Sequence, residues 1–174
     1  FSVIKDLQTK GTFANQKDES QTAFTPQSYE KVRAESPILT QTIRINFFPN
    51  SANLHEPARD EYGNVVKDKL YDAGVDATLE RVARLAGQFE KCVIIVEGHT
   101  DNSMKGRAPY QAVKQLSTDR AAAVRKALIE TYKFDPNKFV IEGKAWDEPA
   151  NPDDPQNQAL NRRVEIKVVP PEAS

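Results

Sequence analysis

The sequence contains few of the residues on which catalytic and metal sites usually depend. Its 174 residues include one cysteine, Cys92, and two histidines, His55 and His99. A single cysteine excludes an internal disulfide framework, and a zinc site would need carboxylates for which no recognisable ligand spacing exists. Cys92 lies in the apolar run 92–96, so we interpret it as a buried core thiol. No metal and no cofactor are expected.

An excess of charge of one sign and long apolar runs are also absent. Lys and Arg total 24 and Asp and Glu total 25, which gives a formal net charge of −1. This balance provides no general attraction to nucleic acid or to an acidic membrane, and no apolar run approaches the ~18 residues of a membrane helix. The chain begins at Phe1 rather than Met and has no signal peptide. We therefore interpret it as a fragment or a processed chain, with any export signal, membrane anchor or other domain upstream.

Polarity and periodicity divide the chain into three parts. Residues 1–39 are polar and weakly periodic, which is typical of a linker or an N-terminal extension. Residues 40–170 have the composition of one globular domain, and residues 171–174 form a short tail. A shortened chain that starts near Pro37 should therefore fold with little loss of melting temperature.

Periodicity predicts an α/β fold for the domain. Apolar residues alternate in 40–47 and 162–169, and short apolar runs at 92–97 and 139–141 are typical of strands. Helical spacing after Asp76, a candidate cap, and after Ser117, the expected N-cap, predicts two helices. The order strand, helix, strand, helix, strand, loop, strand predicts a two-layer sandwich with helices packed on one face of a mixed sheet.

One segment interrupts this pattern. Residues 55–75 are interpreted as an insertion before the first main helix. Partial helical spacing of Tyr62, Val65, Val66 and Leu70 predicts an added helical element over 57–72, at the edge of the fold.

Four short motifs follow one another along these predicted elements. They are Phe47 with Ser51-Ala52-Asn53-Leu54, then Gly98-His99-Thr100-Asp101, then Leu116-Ser117-Thr118-Asp119-Arg120-Ala121, and finally Asn161-Arg162-Arg163-Val164-Glu165-Ile166. Together they resemble the OmpA-like peptidoglycan-binding domain, which also occurs in Pal lipoproteins and MotB stators. The resemblance covers roughly residues 40–170.

The resemblance implies a non-catalytic domain that binds peptidoglycan through the diaminopimelate of its stem peptides. In the family, the Asp of the second motif and the Arg of the third hold that residue, and they correspond here to Asp101 and Arg120. Thr100, Asn161 and Arg162 are expected to complete the binding site. The resemblance further implies a periplasmic location in the cell envelope of a Gram-negative bacterium and allows a homodimer. The chain would anchor an envelope protein to the wall.

The residues themselves leave a structural alternative open. Asp101 follows a central strand at the sheet edge where α/β proteins usually bind ligands. Arg120 near a helix N-terminus would oppose the helix dipole, unless an anion bound there. An Asp101–Arg120 salt bridge without a ligand is the alternative. Arg162 is expected to point inward and to pair with a carboxylate such as Glu97 or Asp101.

Several other polar residues are better explained by structure than by function. His99 is expected to be hydrogen-bonded at a strand end, where it would shape the loop, and Asn161 could likewise fix its loop. A Ser117–His99–Asp101 triad would have to use Ser117, which a helix cap explains better. Trp146 is expected to pack on the surface.

Two departures from the family pattern leave a rival function open. Val113 stands where the family usually has Asn, and the loop from Asp101 to Leu116 is a few residues longer than usual. The rival is an OmpA-like protein-interaction module that has lost peptidoglycan binding.

Overall fold

The computed structural model describes residues 43–169, which fold around a four-stranded mixed sheet. The predicted extension 1–39 and tail 171–174 lie outside the described residues. Six strands occur among the described residues: β1 Ile43–Asn46, β2 Pro57–Arg59, β3 Val65–Leu70, β4 Val93–Gly98, β5 Phe139–Gly143 and β6 Arg163–Val169. The helices in the same part of the chain are α1 Val75–Ala86, α2 Tyr110–Tyr132 and the short α3 Gln158–Asn161, with a 3-10 turn at Pro136–Lys138. The predicted α/β class is confirmed.

Strand β6, the last of the described strands, lies in the interior of the sheet. The strand order is β1-β6-β4-β5, with β4 and β5 parallel and β6 antiparallel to both of its neighbours. Ile166 on β6 lies opposite Ile43 on one side and Val96 on the other. The residues that follow β4 and those that precede β6 therefore meet at one edge of the sheet, where the second and fourth motifs approach each other.

Alternation along the strands separates a face that packs against the helices from a second face. The second face carries a small apolar cluster and the ion pair of Glu97 with Lys167. Ile94 and Val96 of β4 join the main core with the helices, whereas Ile95 belongs to a second, smaller cluster. Gly98 at the end of β4 permits an unusually close helix, because a Cβ there would lie 1.7 Å from the carbonyl oxygen of Ser117. This contact seats the middle of α2 against the strand end that leads to the second motif. No helix in the described part of the chain is long and apolar enough to cross a membrane.

Both main helices begin at residues other than the predicted caps. Helix α1 begins at Val75 after Gly74, and Asp76 lies in its first turn without capping it. Helix α2 begins at Tyr110, so Ser117 lies inside the helix and is not an N-cap. The Ser117 hydroxyl donates to the Lys114 carbonyl at 2.6 Å and accepts from Ala145 N–H at 3.0 Å. It therefore joins the helix to the loop after β5.

The segment 57–72 is a β-hairpin, so the prediction of an added helix there was wrong. Strands β2 and β3 pair antiparallel, with Pro57 opposite Leu70. The turn is fixed by Asp60 Oδ1, which accepts from Tyr62 N–H and Asn64 N–H at 2.9 Å each, and by Gly63 at φ +85°. This turn chemistry overrides weak helical spacing. Of the four residues that gave the helical spacing, Tyr62 is 81% exposed and Val65 is 56% exposed, whereas Leu70 packs against the main core.

Candidate functional site

A cleft at the edge of the sheet brings together four of the five predicted site residues. Thr100 and Asp101 lie in the loop after β4, and Arg120 lies in the middle of α2. Arg162 immediately precedes β6. Most of the other lining residues are apolar and form what we call the apolar wall: Pro49, Met104, Ala108, Ala112, Val113 and Leu116. The cleft therefore combines a charged side with a surface suited to methylene groups.

Arg120 is a buried cation held by the backbone. Its residue is 1% exposed, and the guanidinium donates to three carbonyls: from Nε to Ser51 at 2.8 Å, from Nη1 to His99 at 2.9 Å and from Nη2 to Phe48 at 3.2 Å. Within residues 43–169 no carboxylate forms an ion pair with it. Burial lowers the pKa of Arg120 to about 10, so it stays charged at neutral pH. Three of the five guanidinium N–H groups bond to these carbonyls, which leaves two for a ligand.

Arg120 lines the cleft, but the prediction that it lies near a helix N-terminus, which was the reason to expect an anion there, was wrong. The helix does not begin near Ser117, and its first turn is at Tyr110. Arg120 therefore does not oppose the dipole of a helix N-terminus, and no terminal N–H groups can share a ligand with it. Its potential for anion binding comes instead from a buried positive charge whose only described hydrogen-bond partners are neutral carbonyls.

Asp101 pairs with Arg162 and not with Arg120. Arg162 Nη1 donates to Asp101 Oδ2 at 3.1 Å, while Asp101 Oδ1 accepts from the backbone N–H and the hydroxyl of Ser103. Burial raises the pKa of Asp101, but the Ser103 hydrogen bonds and Arg162 together outweigh burial and hold the pKa below its ordinary value. The carboxylate is therefore charged at neutral pH. The prediction that Arg162 pairs with Glu97 or Asp101 is confirmed for Asp101.

Arg162 is held at each of its three nitrogens. Besides the bond to Asp101, Nε donates to the Phe47 carbonyl at 3.1 Å and Nη2 donates to the hydroxyl of Tyr71 at 3.1 Å. Two arginines and one aspartate line the cleft, so it carries a formal charge of about +1. This local excess of positive charge favours an anionic group in a ligand.

Thr100 and Asn161 have different surroundings. Thr100 lines the cleft and is 6% exposed, and its Oγ1 is buried without a hydrogen-bond partner in the described structure. Asn161 does not line the cleft. Its Oδ1 accepts from Ala150 N–H at 2.8 Å and its Nδ2 donates to the Pro155 carbonyl at 3.0 Å. The geometry supports ligand contact for Thr100 and loop fixation for Asn161.

His99 belongs to a charged cluster on the sheet face opposite the helices. It is fully buried, and its Nε2 lies 3.7 Å from Glu97 Oε1, which is too long for a hydrogen bond. Neither ring nitrogen has a hydrogen-bond partner in the described residues, so the expectation of a hydrogen-bonded ring was wrong. Its backbone carbonyl is what supports the site, by accepting from Arg120. The Ser117 hydroxyl bonds to backbone groups, so it is not presented to His99 as a catalytic nucleophile.

Glu97, His99 and Glu165 have ligand atoms within 4.8 Å of one another, which raises the question of a metal ion. Protein cations already neutralise both carboxylates. Lys167 Nζ lies 3.2 Å from Glu97, and Arg163 Nε lies 2.6 Å from Glu165. A divalent ion would add net positive charge to a buried cluster that is already balanced. The donor set therefore fits an internal ion-pair network better than a metal site.

Two further residues behave as the sequence indicated. Trp146 packs edge-to-face on Tyr110 with ring centroids 5.4 Å apart, as expected for surface packing. Val113 is 6% exposed and lies in the apolar wall, at the position where the family usually has Asn.

Sequence reasoning missed Tyr71 and the carbonyls that hold Arg120. The carbonyls belong to backbone positions of no distinctive residue type, so no sequence signal could have identified them. The start of α2 could have been found, because Pro109 is followed by a long stretch without glycine or proline.

Comparison with known proteins agrees with this architecture. The fold defines an α/β domain with a cleft at one edge of its sheet, and the model of the OmpA family matches residues 46–163. The chain therefore belongs to the OmpA family. Members of this family are anchoring domains and not enzymes, so the expectation of a non-catalytic role is confirmed.

Relatives and solved structures extend the likeness. The chain is 28% identical over 144 residues to outer membrane protein Omp38 of Acinetobacter baumannii, which covers 82% of this chain and 33% of Omp38. The periplasmic domain of Helicobacter pylori MotB superposes with a TM-score of 0.53 at 20% identity, covering 78% of this chain and 86% of that domain. The peptidoglycan-associated lipoprotein of Burkholderia pseudomallei gives a TM-score of 0.50 at 21% identity, covering 72% and 88%. The chain spans about a third of the length of curated relatives such as Omp38 and Helicobacter pylori motility protein B.

Proposed function

We propose that this domain binds peptidoglycan non-covalently through the diaminopimelate residue of stem peptides, and so anchors an envelope protein to the cell wall. The observation that carries the proposal is the cleft in which buried Arg120, without a carboxylate partner in the described residues, lies beside the charged Asp101. Family membership supports it, as does the fold shared with a lipoprotein named for its association with peptidoglycan.

The charges of the cleft match the free end of diaminopimelate. That end carries an ammonium and a carboxylate on one carbon. The carboxylate would accept from the two remaining N–H groups of Arg120, and the ammonium would donate to Asp101. The Asp101 carboxylate can still accept, because the three hydrogen bonds from Ser103 and Arg162 occupy only part of its lone-pair capacity.

The remaining contacts would come from neutral groups. Thr100 Oγ1 is buried and has no hydrogen-bond partner in the described residues, so a ligand hydrogen bond there would remove the cost of leaving it unsatisfied. The methylene groups between the two ends of diaminopimelate would pack against Met104 and Val113 on the apolar wall.

The relatives support a proposal about the cellular location and the neighbouring domains of this chain. We place the domain in the periplasm of a Gram-negative cell envelope, joined to an anchor or another domain upstream, with peptidoglycan and not nucleic acid as its partner. A homodimer is compatible with this role.

Retention of the purified domain on isolated sacculi tests the proposal. Asp101→Asn keeps the size of the side chain and removes the charge, so binding should weaken tenfold or more, because one partner of a desolvated charge pair is lost. Asp153→Asn, at an exposed position outside the cleft lining, is the matched control and should bind like wild type. Circular dichroism checks the fold of both variants.

The rival is a protein-interaction module that has lost the ligand. Val113 favours it, because an apolar side chain replaces a polar one in the wall of the cleft. Failure of the folded wild-type domain to bind sacculi would favour this rival function over peptidoglycan binding.

A further inference from the structure

Tyr71 joins the β2–β3 hairpin to the charged side of the cleft. Its hydroxyl accepts from Arg162 Nη2 at 3.1 Å, and its backbone N–H donates to the Glu56 carbonyl at 2.8 Å across the base of the hairpin. Asp72, the next residue, accepts from Asn46 N–H at 3.0 Å and so attaches the hairpin to the end of β1. The backbone around Tyr71 is therefore fixed both within the hairpin and to β1, independently of the contact with Arg162.

The contact matters because it helps to define the plane of the Arg162 guanidinium. A guanidinium is rigid and planar, so fixing two of its nitrogens fixes the direction of the third. Nε is held by the Phe47 carbonyl and Nη2 by Tyr71, and the remaining Nη1 then points at Asp101 Oδ2. Without the hydroxyl, Arg162 would keep the Phe47 carbonyl and Asp101 itself as its hydrogen-bond partners among the described residues, so its plane would be less firmly set.

A second set of contacts leads from the same hairpin base to Arg120. The Phe48 ring packs edge-to-face on Tyr71, with centroids 5.5 Å apart, and the Arg59 guanidinium lies 5.3 Å from the centre of the Phe48 ring. The carbonyl of Phe48 accepts from Arg120 Nη2. The base of the hairpin thus supports both arginines of the cleft, through a hydroxyl in one case and a packed aromatic residue in the other.

We infer that Tyr71 is a positioning residue for the ligand cleft, which acts on Asp101 through Arg162, and that the base of the β2–β3 hairpin, at residues 70–72, is part of the binding apparatus. The inference rests on the proposed function for its ligand. It assigns a role to a segment that none of the four sequence motifs includes. The tip of the hairpin has no part in this role, since Tyr62 is exposed there.

Two tyrosine variants of the full domain test the effect on binding. Tyr71→Phe removes one hydroxyl and keeps the ring on Phe48, so retention on sacculi should weaken about three- to tenfold, the range for loss of one ordinary hydrogen bond that acts through another residue. Tyr62→Phe removes the matching hydroxyl from the hairpin tip and should bind like wild type. In an Arg162→Met background, Tyr71→Phe should produce no further loss, because the residue through which it acts is gone.

The titration of the Asp101 carboxyl, followed by carbon-13 NMR without any ligand, separates positioning from general stability. Tyr71→Phe should raise the pKa of Asp101 toward its ordinary value while Tyr62→Phe leaves it unchanged. An Asp101 titration identical in Tyr71→Phe and wild type would overturn the inference, as would full binding by Tyr71→Phe. Failure of wild type to bind sacculi would instead remove the proposed function, and the titration would still decide whether Tyr71 acts on Asp101.

Discussion

Arg162 donates a hydrogen bond to Asp101 across 3.1 Å, whereas Arg120, which the motifs predict to hold the ligand together with Asp101, is held by three backbone carbonyls. The two arginines therefore have different roles. Arg162 keeps Asp101 charged and oriented, and Arg120 supplies a buried positive charge to the cleft. This division determines which substitutions can test binding and which will also disturb the fold.

Replacement of Arg120 should destabilise the domain as well as abolish binding. In Arg120→Ala, the carbonyls of Phe48, Ser51 and His99 lose their donor; the bond to His99 is buried and the other two are partly buried, and an unsatisfied buried group costs about 1–3 kcal/mol. We expect the free energy of unfolding in urea to fall by about 3 kcal/mol or more. Arg120→Lys should recover only part of the lost stability and binding, because an ammonium lacks the planar arrangement of donors of a guanidinium.

Arg81→Ala on the exposed face of α1 is the control for this substitution and should change stability by less than about 0.5 kcal/mol. An Arg120→Ala domain as stable as wild type would show that the three carbonyl contacts are unimportant. That outcome would return Arg120 to the simple ligand-binding role that the motifs alone suggest.

The ion pair of Asp101 should give stability a specific dependence on pH. The folded-state pKa of Asp101 lies below the ordinary value of 3.8, because the hydrogen bonds from Ser103 and the charge of Arg162 outweigh burial. A depressed carboxyl pKa contributes stability that is fully present above the unfolded pKa and is lost as pH falls through the folded pKa. The stability gap between wild type and Asp101→Asn should therefore be constant from pH 7 to about pH 5 and shrink below pH 3.8.

Urea unfolding measures this gap in the free energy of unfolding. Both proteins are unfolded with urea at neutral pH, at a pH near the ordinary carboxyl pKa, and at a pH well below that pKa. The same series for Asp153→Asn should show no such trend, since that carboxyl is exposed and lies outside the cleft lining. A gap that stays the same at the lowest pH and at neutral pH would mean that Asp101 has no depressed pKa.

The sequence was sufficient for the four strands of the main sheet and for the presence of two helices, because their apolar residues recur with strand or helix spacing. Ile43 and Ile45 alternate with exposed or half-buried neighbours, and Val164 and Ile166 on β6 lie in the same core. It was insufficient at 57–72, where weak helical spacing competed with turn chemistry. Asp60, Gly63 and Asn64 were available as a turn signal, and their local hydrogen bonds prevail in the structure.

For the cleft, the motifs predicted which side chains gather there but not how they are connected. Thr100, Asp101, Arg120 and Arg162 all line it. The partner of each arginine depends on where α2 begins and on which carbonyls face it, and neither property is carried by residue type. Tyr71 escaped prediction for the same reason, since its hydroxyl reaches Arg162 only once 57–72 forms a hairpin.

The most direct measurement of diaminopimelate recognition compares retention of the wild-type domain on two kinds of peptidoglycan, one with diaminopimelate in its stem peptides and one with lysine at that position. Lysine keeps an ammonium but lacks the second carboxylate, so Arg120 would lose its ligand group and the buried cation would remain unpaired. We predict at least tenfold weaker binding to the lysine form and a smaller difference between the two forms for Asp101→Asn. Equal retention of the wild-type domain on both forms would contradict recognition of diaminopimelate by this cleft.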